Sequence, residues 1–314
     1  MSELMNAAGQ DFKVWADVLN YGKQVLKDAG IAEADLDAWY LFEQIFGISR
    51  AQYFMCAREK ISGDGLETKI AVYDDVLKKR ASRIPLQQIL GQQEFMGLTF
   101  FVNEHVLIPR QDTETLVELV LNEQKDKNIS ILDMCTGSGC IAVSLKKLGG
   151  YAHVEGADIS DEALKVAKRN STEILGEEPE RNSADHAVPQ TGVTFRHSDM
   201  FSSFQETELF NVIVSNPPYI PSAVIEELEP EVRDHEPRGA LDGTADGLYF
   251  YRILAEECAK HLTPEGHVYF EIGYDQGLAV KELLDTHGFK DTRVIQDLAG
   301  KDRVVCGTWQ TAGV

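Results

Sequence analysis

Four consecutive residues, Asn216-Pro217-Pro218-Tyr219, stand where an apolar run of strand formers, Phe210 to Val214, comes to an end. Two prolines at the end of a strand are unusual, because proline removes a donor from the ladder. Pro217 also pushes Asn216 into an extended conformation, so its side chain is presented in a fixed direction. The side-chain carbonyl of Asn216 and the backbone carbonyl of Pro217 can then accept both protons of a planar NH2 group, with Tyr219 packed against its face. An amide-type nitrogen is a poor nucleophile because its lone pair is delocalised. Holding both hydrogens aims the nitrogen, and the same acceptors stabilise the positive charge that appears on it during transfer of a group to it. A rigid turn without chemistry is the competing reading of the tetrapeptide alone.

A second constellation changes that balance. The strand candidate Ile129 to Met134 runs into Cys135-Thr136-Gly137-Ser138-Gly139, and a helix pattern starts at once. Glycines at such a turn let a ligand approach the backbone, and the helix start offers free N–H donors. The next strand ends at Asp158, about 20 residues after the glycines, where an acid can take both hydroxyls of a ribose. A third ends at Asp199-Met200, where the acid can accept from an adenine amino group and the methionine can cover the ring. Capping of the following helix is the competing role for both acids. Taken together, three successive strand ends suit a nucleoside-containing ligand. Cys135 and Cys140 have no histidine at metal spacing and read as small packing residues, so no metal is expected.

The elements needed to hold these residues follow from periodicity. From Asp11 to Arg80 apolar residues recur at helical spacing in Asp11–Ala29, Ala34–Phe46, Ser49–Ala57 and Leu66–Arg80, with no strand signal between them, which predicts a small helical bundle over 1–83. Residues 84–111 read as a linker with a hairpin, Glu94 to Val102, and lead to a helix opening near Asp112, whose carboxylate is placed to cap the first turn. From 112 to 314, strands and helices alternate. Strand candidates at Ile129–Met134, His153–Ala157, Val193–Arg196, Phe210–Val214 and His267–Ile272 are separated by helices such as Asp161–Ile174 and Leu248–His261, and two more strands, Thr292–Ile295 and Arg303–Trp309, close the chain. Such a pattern predicts an α/β, Rossmann-like, mainly parallel sheet. The polar segment Gly176–Gly192 reads as a long surface loop.

Composition narrows the function classes. The net charge of −21, from 51 acidic and 30 basic residues, repels phosphate backbones, so no free nucleic acid is expected as partner. No apolar run reaches the ~20 residues of a membrane span, so no membrane partner is expected either. Five scattered cysteines without a CxxC pair, and a start from Met1 to Gln10 without a secretion signal, imply a cytoplasmic protein, expected as a monomer.

The combination of Asn-Pro-Pro-Tyr with Asp-x-x-x-Gly-x-Gly resembles the methyltransferases that act on planar nitrogens of adenine, cytosine or glutamine. Three further segments narrow the resemblance: Leu107-Ile108-Pro109-Arg110-Gln111-Asp112-Thr113-Glu114, Glu231 to Gly243 with Asp246-Gly247-Leu248, and Glu271-Ile272-Gly273 with Asp297 to Arg303. From about Arg83 to Gly307 the chain is similar to the peptide chain release factor glutamine methyltransferases, a class I methyltransferase fold behind a helical substrate-recognition domain. The resemblance implies S-adenosyl-L-methionine as cofactor, with Cys135, Thr136, Gly137, Ser138 and Gly139 at its methionine moiety and sugar. It further places Asp158 on the ribose, Met200 against the adenine, and Asn216, Pro217, Pro218 and Tyr219 on the target glutamine, with Asn216 expected to border the cofactor as well. The implied partner is a release factor methylated within its Gly-Gly-Gln motif. This chain departs from the family pattern at Gln111, usually proline, at Cys135, usually glycine, and at Met200, often a bulky aromatic. The sister enzyme of a ribosomal protein, which typically carries proline-arginine-serine-proline where this chain has Pro109-Arg110-Gln111-Asp112, is the nearest alternative. A DNA adenine methyltransferase would need a basic recognition region, and a binding protein without catalysis would have no use for an amide clamp.

Overall fold

The computed structural model describes residues 12–176 and 192–310. Residues 177–191, the body of the expected surface loop, lie outside the described residues. The chain divides into two compact units, Met1–Gly91 with Pro230–His235, and Gln92–Glu229 with Glu236–Val314.

The first unit is helical: α1 (Trp15–Asp28), α2 (Ala34–Phe46), α3 (Arg50–Cys56), α4 (Leu66–Ala81) and α5 (Leu86–Leu90). The α1 start is held by Asp17, whose carboxylate accepts the N–H groups of Lys13 and Val14 at 2.9 and 3.0 Å. Ser49 and Gln52 form a capping box at α3, and α2 stops at Gly47 in the left-handed region. The apolar stripes meet in one core that includes Leu26, Leu41, Phe42, Tyr73 and Leu77. The unit extends to Gly91, later than the expected boundary at residue 83, because Leu86 of α5 is buried in this same core.

The second unit opens with a hairpin, β1 (Gln92–Phe95) and β2 (Leu98–Phe101), followed by a 3-10 turn, Gln111–Thr113, and α6 (Glu114–Glu123). Then come β3 (Ser130–Met134), α7 (Cys140–Ser144), β4 (His153–Asp158), α8 (Asp161–Leu175), β5 (Thr194–His197) and β6 (Phe210–Ser215). Three short helices follow: α9 (Ser222–Ile225), α10 (Pro230–Arg233, which belongs to the helical unit) and α11 (Arg238–Leu241). The chain ends with α12 (Tyr249–His261), β7 (Leu262–Glu271), α13 (Gly277–Thr286), β8 (Lys290–Gln296) and β9 (Asp302–Thr308).

The seven strands β3 to β9 form one sheet in the order β5-β4-β3-β6-β7-β9-β8, parallel from β5 to β7 and antiparallel at β9 and β8. Side chains alternate between two cores. Ile131, Val212, Val214 and Tyr269 pack on one face with α6 and α7, while Leu132, Ile213, Val268 and Phe270 pack on the other with α12 and α13. Burial on both faces explains why these strands read as apolar runs.

Two expectations need correction. Asp112 caps no helix: its carboxylate pairs with Arg303 at 2.8 Å, and α6 starts at Glu114 without a side-chain cap. An ion pair with a buried guanidinium outweighs a cap that water can replace. Strand β7 begins at Leu262 rather than His267, because the pairing with β6 continues across an irregularity between Phe210 and Val212. Pro264-Glu265-Gly266, with Glu265 at φ 61°, reads locally as a turn.

Candidate active site

In this sheet the strand order reverses between β3 and β6, which lie side by side with Met134 paired to Ser215. Chain connections leave in opposite directions there, opening a crevice at the carboxyl ends of the two strands. Cys135–Gly139 leaves β3 and Asn216–Tyr219 leaves β6, so the two motifs, about 80 residues apart in sequence, share one site. A cavity of ≈ 510 Å³ occupies it, and its wall takes in Cys135, Thr136, Gly137, Ser138, Asp158, Asp199, Met200, Asn216 and Pro218.

Gly139, Pro217 and Tyr219 lie outside that wall. Gly139 is needed behind it: at φ 78° it starts α7, and a Cβ there would stand 3.1 Å from the Cβ of Ala167 on α8. Its job is close packing of helix on loop. Tyr219 packs against the core on the α12 side of the sheet. Its backbone is gripped from outside: the Gln276 amide donates to the Tyr219 carbonyl at 3.0 Å, and a Cβ on Gly247 would stand 2.3 Å from the same oxygen. The following residue, Ile220, donates to Leu241 O at 3.0 Å and accepts from Gly243 N–H at 2.8 Å. The segment after α11 therefore brackets the Asn-Pro-Pro-Tyr turn, a role that likeness of motifs did not reveal.

Asp158 faces the cavity with both carboxyl oxygens already accepting backbone N–H groups, Gly137 at 2.9 Å and Ser160 at 2.9 Å. Burial raises its pKa, and these N–H groups pull it back. The carboxylate keeps a further lone-pair direction for a ligand hydroxyl. The cap of α8 is Ser160, not Asp158. Asp133, at the head of the glycine motif, lies under the loop, where it accepts from Thr136 Oγ1 at 2.6 Å and Ala142 N–H at 3.1 Å. Its full burial pushes it up to about 7.

Cys135 and Met200 both adopt positive φ, 62° and 47°, and their sulfur atoms stand 3.9 Å apart on the cavity wall. A side chain at the first of these positions is strained, since a Cβ in the left-handed region costs roughly 1–2 kcal/mol. Burial raises both the Cys135 and Cys140 thiols, the latter to about 12, so neither is a nucleophile near neutral pH.

Several contributing residues had no individual role legible in the sequence. Asn170 of α8 is fully buried and donates to Ser138 O at 2.9 Å and Phe101 O at 3.0 Å, while accepting from Phe101 N–H at 2.7 Å. It ties the glycine loop to the hairpin. The Leu107–Glu114 signature resolves into a series of anchors. Arg110 donates to both carboxyl oxygens of Glu236 at 2.8 and 2.7 Å, Asp112 pairs with Arg303, and Glu114 accepts Met96 N–H at 2.6 Å. Thr113 accepts the Asn216 amide at 3.3 Å. These partners are far away in the chain, so no local signal could have found them.

Comparison with known proteins adds independent findings. The family model described as PrmC N-terminal domain matches residues 17–91, and the one described as Methyltransferase small domain matches residues 111–227. The chain is 37% identical over 297 residues to the release factor glutamine methyltransferase of Geobacter sulfurreducens, covering 94% of this chain and 97% of that protein. The release factor glutamine methyltransferase of Caulobacter vibrioides is 38% identical over 286 residues, covering 91% and 93%. Among solved structures, a methyltransferase from Pyrococcus furiosus shares the fold at a TM-score of 0.50 and 18% identity, over 74% of this chain and 100% of that chain.

Proposed function

The chain belongs to the release factor glutamine methyltransferase family, and from that membership and the site geometry we propose that it methylates the side-chain amide nitrogen of the glutamine in the Gly-Gly-Gln motif of a peptide chain release factor. The observation that carries this reading is the joining, at one switch point, of a nucleoside-sized cavity with the Asn216 amide on its wall.

The residues present suit S-adenosylmethionine. Gly137 at φ 55° lines the cavity, and a Cβ there would meet no protein atom within 4 Å and would intrude on the ligand space. Cys135 to Ser138 would face the methionine moiety, Asp158 the ribose, and Asp199 with Met200 the adenine. When bound, the cofactor supplies an electrophilic methyl group on a sulfonium. Asn216 Oδ1 and the Pro217 carbonyl accept the two amide protons and hold the glutamine nitrogen on a fixed line. The same acceptors favour the positive charge that grows on nitrogen, so their effect falls on the transition state more than on substrate binding. As the N–C bond forms, one N–H proton becomes strongly acidic and leaves to water, so no strong base is required.

The helical unit serves in this proposal as a second contact with the body of the release factor. On α3, Phe54 and Met55 are 87% and 75% exposed, an apolar pair suited to that contact. The deciding experiment is mass spectrometry on purified release factor and on the ribosomal protein of the sister enzyme, each incubated with this chain and cofactor. Methyl addition at the Gly-Gly-Gln glutamine is expected. A methyl group found only on the ribosomal protein would overturn the assignment.

A further inference from the structure

We propose that Gln276 is a positioning residue for the transfer: its side-chain amide anchors the far end of the Asn216–Tyr219 turn and so sets where the Pro217 carbonyl stands. The turn cannot do this for itself. Pro217 and Pro218 have fixed φ but no N–H group, so they lend no backbone donor, and their ψ angles are set by whatever holds the two ends. The near end is tied to the sheet, where Ser215 is paired with Met134 and donates its hydroxyl to the Met134 carbonyl at 2.7 Å. At the far end the Tyr219–Ile220 peptide is held from both sides. Its N–H donates to Leu241 O at 3.0 Å, and its carbonyl accepts from Gln276 Nε2 at 3.0 Å.

The partners decide the direction of the Gln276 amide, because all of them are backbone groups with fixed roles. Nε2 donates to the carbonyls of Tyr219 and, at 3.3 Å, Gly247, while Oε1 accepts the Gly273 N–H at 2.9 Å. A half-turn of the amide would set oxygen against two carbonyls and NH2 against an N–H. Two glycines leave the room it needs: a Cβ on Gly247 would stand 2.7 Å from Nε2, and one on Gly273 would stand 3.0 Å from Oε1. Gln276 is buried, and although it occupies the N-cap of α13, its side chain makes no bond to that helix. Ser, Thr, Asp and Asn are the residues that suit a cap. Here a longer amide serves the turn instead. The motif stretches at 216–219, 246–248 and 271–273 thus meet on one side chain that belongs to none of them.

The inference rests on the proposed amide clamp, and its test includes a readout independent of substrate. Gln276→Met keeps the length of the side chain and removes all its hydrogen bonds, and Gln276→Leu does so with a different shape. In nitrogen-labelled protein, the Ile220 N–H should exchange with solvent several-fold faster in both variants than in wild type, while that of Val214, at the near end, should hold. In single-turnover assays with release factor, both variants should lower the transfer rate by roughly tenfold to a hundredfold, since a misplacement of about 1 Å can cost a hundredfold. KM for the factor and affinity for cofactor should hold, which also certifies folding. A role in stability alone would lower the melting temperature and leave the transfer rate of the folded protein unchanged. Wild-type transfer rate in both variants would overturn the proposal, as would wild-type exchange at Ile220 in both, or a loss confined to KM or cofactor affinity. If wild-type protein leaves the release factor unmethylated while the exchange pattern holds, the substrate assignment fails and the anchor stands.

Discussion

In the helical unit, Arg80 is shared between carboxylates, Asp37 at 2.7 Å and Glu231 at 3.0 Å, and Arg83 reaches the same Glu231 oxygen at 3.2 Å. In the sheet unit, Glu271 is equally buried, yet among the described residues its Oε2 atom has no hydrogen-bond partner, nor has Nε of the neighbouring Arg303. Both carboxyl groups, Asp37 and Glu271, are raised by burial, but only Glu271 is pushed up to about 7. The difference separates two uses of buried charge. A cluster whose hydrogen bonds are satisfied by direct partners fixes packing, here joining Pro230–His235 to the bundle. An incompletely satisfied one is costly for stability.

The comparison can be broken most forcefully at Arg80. Arg80→Ala leaves Asp37 and Glu231 without their shared cation, and removal of one partner from a buried pair typically costs about 3–5 kcal/mol. Denaturant unfolding followed by helical circular dichroism should show a loss of that size. A loss under ~1 kcal/mol, the value of an exposed pair, would mean that the cluster does not hold the unit together.

Asn216→Ala should do the opposite, sparing stability and removing function. Turnover on release factor should fall by roughly a hundredfold or more, with cofactor affinity by calorimetry and the melting temperature little changed. Near-wild-type turnover would refute the clamp.

The titration of Glu271 gives a smaller, signed effect. Thr113, Arg303, Asp112, Arg110 and Tyr219 face it, and burial lifts it from an ordinary 4.5 to about 7. An acid raised on folding holds its proton more tightly in the folded state. Its contribution to stability is therefore complete below pH 4.5 and is lost as pH rises through about 7. Glu271→Gln does not titrate. Between pH 4.5 and 8 the variant should gain on wild type by an amount on the order of 3 kcal/mol, since each tenfold change in proton affinity is worth ~1.4 kcal/mol. Asp133, also raised to about 7, is common to both proteins and cancels. A difference independent of pH would show that Glu271 does not titrate in this range.

Least affected should be Cys135→Gly. Relief of the positive φ, about 1–2 kcal/mol, is offset by the greater backbone entropy of glycine in the unfolded chain and by loss of the sulfur contact with Met200. Net stability should change by less than about 1 kcal/mol and cofactor affinity should hold. A large loss of affinity would show that the Cys135 side chain itself serves the site.

The sequence by itself determined the elements and the chemistry of the motifs. Helix α2 was expected over the residues it occupies, and β3 to β6 within a residue or so at their ends, because periodicity and glycine or proline stops are local properties. The proposed amide clamp at Asn216-Pro217-Pro218-Tyr219 is also a local reading, since it depends on residue types and on what proline does to its neighbour. Tertiary structure alone decided that β3 and β6 are adjacent, which places the glycine loop beside Asn216. It also decided that Gly139 and Tyr219 serve by packing behind the cavity wall, that Asp112 answers Arg303 rather than a helix, and that Thr113 accepts a hydrogen bond from the Asn216 amide. These are pairings between residues far apart in the chain, selected by burial and by the need to satisfy buried polar atoms. No local pattern encodes them, because each partner acquires its meaning only when folding removes water from both.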